Sequence, residues 1–491
     1  MSASASTPAA SATPPVGGAA APPPPDEAGP PRPGLALAVV VGAMLLVGID
    51  VTVVNLALPD MRAALDMSST ASAWILNAYT LSYGGLLLLG GRVGDALGRR
   101  RVFCAGVGLF TAASLLAGLA PWAWWLIAAR VLQGVGGALI GPSTMALLVS
   151  MFAGAARARA ISWYSAVLGG GATVGLILGG LLTELASWRW VFLINVPLGA
   201  ALVVLAPRIV PRVDRAASGT RPAFDFAGTI TVTGGVGALV YACIRAGSHG
   251  WGDGATVAAL IVAAVLLAVF VPTQRHAAEP LTRTATRGTL ARILPPVALL
   301  GAAMFGVLFF LGQYFQEARG YTPVRAGLAF LPMMAAQFAM ARLAPTLVRR
   351  VGPAWPAVTG ASAVTVGLLW LWRIGETDAY AAGILGPLVL VGAGAGAAMS
   401  PMSIFGLSGV APAESGAASG LLQTTQWLAG TVGLAVWVTV FGHATRDAAP
   451  GASPEHVLTH GVGASFGAAA ISAAAAVLAA STLFRARRDA A

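Results

Sequence analysis

Apolar blocks of about 20 residues recur along this chain, and they decide most of what it can fold into. A block of that length crosses a ~30 Å hydrocarbon core as a helix. Backbone N–H and C=O groups meet no water there, so each block must pair them internally, and many blocks make a helical bundle. Composition agrees. Only 10% of residues are charged, against about 25% in soluble domains, and mean hydropathy is +0.79. Fourteen spans can be read, near 35–58, 72–91, 102–120, 123–148, 160–183, 190–206, 226–246, 255–272, 293–315, 323–342, 354–373, 379–404, 415–441 and 463–484. The expected class is an all-α integral membrane protein.

The charge pattern sets topology rather than partner choice. The net charge is +11, and all 29 basic residues are arginines gathered mostly in short loops. That distribution follows the positive-inside rule and does not form a nucleic-acid-binding face. Arginines follow spans two, four and eight (Arg99 to Arg101, Arg157 and Arg159, Arg275 to Arg292) and the last span (Arg485, Arg487, Arg488). The alternate loops hold Trp122, Trp251, Asp253, Glu376 and Asp378. Both termini are therefore expected in the cytoplasm of a multi-pass cell (inner) membrane protein.

Seven segments follow from the same reading. Residues 1–34 form a Pro/Ala/Ser-rich tail expected to be disordered and not a signal peptide. Residues 35–206 form a six-helix bundle, 207–225 a basic linker and 226–272 two additional helices. Residues 273–292 form a second linker, 293–484 another six-helix bundle and 485–491 a short tail. Paired six-span halves about a central site are a transporter arrangement. Cys104 and Cys243 lie far apart and the five histidines read as loop residues, so no disulfide, metal or cofactor is expected.

Several stretches carry a family resemblance. The loop Gly90-Gly91-Arg92-Val93-Gly94-Asp95-Ala96-Leu97-Gly98-Arg99-Arg100-Arg101 resembles the signature loop of the major facilitator superfamily. The segments Asp50 to Pro59, Trp188 to Gly199, Arg130 to Gly134 and Ser419 to Gln423 are similar to motifs of its fourteen-span drug:proton antiporter branch. The resemblance implies two six-helix bundles plus two central helices, proton-coupled export of a small organic molecule, and alternating access. It also implies that Gly91, Gly94, Asp95, Gly98, Arg99 and Arg100 gate the conformational change. An arginine cluster acting only as a topology signal fits the same residues.

Among the 18 acids, Asp50 alone lies well inside an apolar run, about 22 Å up its helix from Leu35. A lone charge at that depth costs at least ~2.5 kcal/mol, so it should face the bundle interior beside a partner. Arg130 lies about 9 Å from the outer boundary by helical rise, and Asp50 about 8 Å from it. Matching depth makes the two a candidate proton-coupling pair, with Glu184 as a secondary site. A static buried ion pair is the other reading. Gly171, Gly175, Gly179 and Gly180 make a flat face for close helix packing. The same stretch resembles the antiporter motif associated with efflux, although Leu176 stands where that motif has proline.

Asn55, Asn77, Tyr79, Gln133, Gln313, Tyr314, Gln337 and Gln426 supply sparse polar groups on apolar spans, as substrate cavities do. Each is equally a candidate for an interhelical hydrogen bond. Asp225, Glu317 and Glu414 read as interfacial or loop acids. Without lysine, a phosphate-binding Gly-x-x-x-x-Gly-Lys loop is impossible, which excludes an ATP-driven pump. No nucleophile or acid–base constellation marks an enzyme, and no charged ring marks a channel. An importer of a nutrient or siderophore, or a receptor on the same fold, remains the alternative. The expected partners are a small molecule, protons and lipid, with the chain acting as a monomer.

Overall fold

The computed structural model describes residues 32–152, 154–211, 225–276, 288–375, 379–408, 415–447 and 452–488. Most of the tail and both linkers, Glu376, Asp378, Glu414 and the side chain of Asp95 lie outside the described residues. The rest is helical: α1 (Pro33–Ala64), α2 (Ser69–Leu97), α3 (Arg99–Gly118), α4 (Ala123–Met151), α5 (Gly154–Leu185), α6 (Trp190–Leu193) and α7 (Asn195–Ile209). There follow α8 (Phe226–His249), α9 (Gly254–His276), α10 (Gly288–Gln313), α11 (Pro323–Ala329), α12 (Leu331–Val351) and α13 (Ala354–Leu371). The chain ends with α14 (Leu385–Ser408), α15 (Ser415–Arg446) and α16 (Pro454–Arg488), with π-helical turns at Tyr314–Ala318 and Tyr380–Ile384.

Twelve of these helical stretches are long and apolar enough to cross a membrane. The 29-residue α2 and the 32-residue α5 are the other long helices, which is consistent with fourteen spans. Two expected spans are divided. The sixth is broken at Ile194 into α6 and α7, and the tenth at Phe330 into α11 and α12.

Helices α1 to α7 pack chiefly on one another, as do α10 and α12 to α16, while α11 packs mainly on α5. The two groups meet along α2 and α15, and again where α5 and α1 touch α11 and α10. Helix α8 touches both α2 and α15, while α9 packs on α8 and turns Ile261, Val265 and Val269 outward. The α8–α9 hairpin is tied at both ends. Asp225 caps α8 by accepting the Gly228 N–H (2.7 Å) and accepts from Gln274 Nε2 (2.5 Å). At the other end Arg245 Nε donates to Asp253 Oδ2 (2.6 Å). This hydrogen bond, and one from the Thr256 N–H, hold the Asp253 carboxyl down at about 2.

The histidines do not lie in loops. His249 and His276 close α8 and α9, His443 is in the last turn of α15, and His456 and His460 are in the first turns of α16. Helix α16 starts at Pro454, earlier than the apolar run at 463, because proline suits a first helical turn and polar residues are tolerated at a helix end. Glu317 likewise sits in the π-helical turn after α10.

Candidate functional site: a buried ion pair and the seam between the helix groups

Close helix approach builds the site. Helices α2 and α4 nearly touch because Gly134 leaves no room for a side chain: a Cβ there would stand 2.7 Å from the Tyr79 carbonyl oxygen. Gly136 does the same for α3 and α4 at Phe110. The resulting core holds Asp50 and Arg130, both fully buried.

Arg130 Nη1 lies 2.5 Å from Asp50 Oδ2 and also donates to Gln133 Oε1 at 2.9 Å. Its Nε donates to the Ile75 carbonyl at 3.0 Å. Gln133 Nε2 donates to Asp50 Oδ1 (2.9 Å) and to Ser114 Oγ (2.8 Å). Asn195 Nδ2 donates to Asp50 Oδ1 at 3.2 Å. The Arg130 guanidinium stacks over the Tyr79 ring at 4.3 Å, with Phe192 at 5.8 Å. A buried pair survives only when geometry and further hydrogen bonds offset desolvation, and here both carboxylate oxygens have partners. Chemically, the cluster is a carboxylate whose charge is held entirely by named donors. Neutralising it would leave Arg130 with Gln133, Ile75 and the Tyr79 face.

Sequence reasoning missed Asn195 and Ser114 as members. Asn195 is the first residue of α7, and the Ile194 break lets it reach Asp50. Its place in the Trp188 to Gly199 stretch was the available signal, whereas nothing in the sequence singles out Ser114.

Glu184 stands apart from the cluster. It is exposed at the end of α5, and its Oε2 accepts the Val324 N–H (3.2 Å) in the first turn of α11. Beside it Gly180 packs on Pro323, and nearby Arg62 pairs with Glu317 at 2.9 Å. These contacts join the two helix groups at the end of the molecule where α1 runs into α2. At the opposite end the signature loop packs on α4 and α7. Gly98 has φ +98°, which a side chain would strain. Gly91 and Gly94 lie against Pro142 and Ser143 of α4, Arg99 reaches the Ala146 carbonyl (3.4 Å), and Arg100 donates to the Pro207 carbonyl.

The glycine stripe of α5 faces α1. Gly171 lies against Gly48, Gly175 against Ile49 and Thr52, and Gly179 against Val53. The stripe thus sets α1 in place on either side of Asp50.

The polar residues expected in a cavity are spread over α1, α2, α4, α10, the π-helical turn after it, α12 and α15. Gln133 belongs to the ion-pair cluster. Asn55 donates to the Val51 carbonyl one turn back (3.1 Å), and Tyr314 to the Gly375 carbonyl (2.7 Å). Asn77 is buried with neither amide atom partnered, and Gln313 Oε1 and the Tyr79 hydroxyl also lack partners among the described residues. Gln337 and Gln426 are half-buried. A surface cavity of about 420 Å³ between the α8–α9 turn, α15 and α16 is lined by Trp251, His443 and His460, and by none of these candidates.

Comparison with known proteins identifies the family. Residues 40–434 match the description Major Facilitator Superfamily. The chain is 40% identical over 422 residues to the puromycin resistance protein of Streptomyces alboniger, covering 84% of this chain and 83% of that one. It is 37% identical over 453 residues to the cephamycin export protein of Amycolatopsis lactamdurans, covering 90% and 91%. Its fold resembles the crystal structure of a bacterial homologue of the human lysosomal transporter Spinster, inward-facing and unoccupied. That match has a TM-score of 0.65 and 16% identity, and covers 93% of this chain and 98% of that one. The chain belongs to the major facilitator superfamily, a family of membrane transporters and not of enzymes.

Proposed function

We propose that this protein exports a small organic molecule of the antibiotic class from the cytoplasm in exchange for protons. The observation that carries the proposal is the fully buried Asp50–Arg130 pair, because ionisable groups buried among membrane spans mark substrate paths and proton relays. Relatives whose names describe puromycin resistance and cephamycin export support the direction and the substrate class. In this reading a proton taken up by Asp50 releases Arg130, and the change in partners biases the molecule between two facing states. Both termini are cytoplasmic, the protein works as a monomer in the cell membrane, and the α1–α2 end faces outward.

The contacts of Arg62 with Glu317 and of Glu184 with Val324 then close the outer side, and they must part once per cycle. Arg62→Cys with Glu317→Cys, in a background lacking Cys104 and Cys243, should be bridged by a short bifunctional thiol reagent. Bridging should stop transport, and reduction of a cleavable reagent should restore it. Undiminished transport in the bridged protein would mean that this end does not open.

Proteoliposome flux tests the function itself. An imposed proton gradient should drive puromycin against its concentration, and collapsing the gradient should stop it. Accumulation in the same direction as the protons would assign uptake, and flux indifferent to the gradient would remove proton coupling.

A further inference from the structure

The Asp50–Arg130 cluster lies wholly within α1 to α7, yet an exporter must link it to the other helix group. One continuous set of side chains makes that link. The Tyr79 ring, under Arg130, stacks on Tyr83 with centroids 5.7 Å apart and planes 10° apart. These two tyrosines are four residues apart on α2 and so share a face. Tyr83 meets Trp427 of α15 edge-on at 4.9 Å and 69°, and Trp427 meets Phe305 of α10 at 5.3 Å and 88°. The first two rings are buried, while Trp427 and Phe305 are half-buried.

The seam is fixed at this level. A Cβ on Gly84 would stand 2.6 Å from Trp427 Cβ, and Thr431 of α15 donates to Thr80 Oγ1 at 2.7 Å. A shift of the buried Tyr79 and Tyr83 rings has no free volume to absorb it, so it presses on Trp427 where the seam holds that side chain.

We infer that Tyr79, Tyr83 and Trp427 are positioning residues that carry the state of the Asp50–Arg130 pair across the α2–α15 seam to Phe305. With Asp50 ionised, Arg130 is shared between the carboxylate and the Tyr79 face. With Asp50 protonated, the carboxylate no longer competes, and the guanidinium settles onto the ring, which a desolvated cation favours. That displacement passes along the stack. The Tyr79 hydroxyl is buried and has no partner among the described residues, so the ring and not the hydroxyl does the work.

The charged or titratable side chains placed against Asp50 are Arg130 from α4 and Tyr79 from α2. Ser114 from α3, Gln133 from α4 and Asn195 from α7 complete its surroundings without titrating. The middle turns of α5 and α10, which also pack on α1, carry no Asp, Glu, Lys, Arg or His.

The inference rests on Asp50 being the protonation site, and it is tested without substrate. Tryptophan emission of the full chain in lipid nanodiscs is titrated over the whole pH range in which the protein stays folded. The wild-type protein should show one emission step. Asp50→Asn and Trp427→Phe should each lose it, Tyr79→Leu should lose it, and Tyr79→Phe should keep it. Thermal melting of each variant identifies any that fail to fold, and Trp427→Phe preserves an aromatic ring for that reason. No step in the wild type, a full step in Trp427→Phe or in folded Tyr79→Leu, or loss in Tyr79→Phe would each overturn the relay. A normal pattern in a protein that exchanges no protons for puromycin would leave the relay standing and remove the exporter reading.

Discussion

Asp50→Asn should reduce gradient-driven puromycin export to the level of empty liposomes and leave the remaining flux independent of pH. The amide keeps the shape of the site and removes its negative charge, so Arg130 stays buried with no counter-ion. Removing one partner of a buried pair typically costs about 3–5 kcal/mol, so the variant should also melt at a lower temperature. Adding Arg130→Gln removes the unpaired cation and should recover much of that stability without recovering export. This pattern separates two roles. A merely structural ion pair would regain transport along with stability in the double variant, whereas a proton-carrying one would not. Wild-type export in Asp50→Asn, with a normal pH profile, would dismiss the coupling role outright.

Gly179→Ala should be nearly as damaging, by a different route. A Cβ at Gly179 would stand 2.6 Å from the Val53 carbonyl oxygen and 3.0 Å from its Cα, and backbone cannot swing aside as a side chain can. Overpacking of this kind typically costs about 1–3 kcal/mol. The added strain is relieved by moving α1, which carries Asp50 one turn away, so export should fall further than stability does. Gly171→Ala is the internal control. Its nearest neighbour would be Leu45 Cδ1 at 3.4 Å, an ordinary contact with a flexible side-chain end, and the variant should behave as wild type. Equal export in the two variants would show that α1 tolerates displacement at Val53.

Much of this was readable from residues alone, for identifiable reasons. Apolar length reports helices in lipid because no other backbone arrangement pairs its own polar groups there. Asp50 and Arg130 could be matched because helical rise converts sequence position into depth. What depth cannot give is azimuth. Gln133 was read as lining a cavity, yet it bridges the ion pair, and Asn195 reaches Asp50 only because α6 and α7 part at Ile194. Glu184 illustrates the converse: its place at a span end was legible, but its contact with α11 depends on how the two helix groups meet. The start of α16 was misjudged because hydropathy sees the lipid-embedded part of a helix and not its polar first turns.

The hairpin of α8 and α9 has a consequence for what the bilayer meets. The two helix groups are joined along two seams, one at α2 and α15 and one at α5 and α11. The hairpin lies over the first, with α8 against both of its helices and the side chains of α9 turned outward. Among the described residues nothing comparable covers the second. Seen from the bilayer, the first seam therefore lies behind a second layer of helix, while the second presents its own two helices directly to lipid.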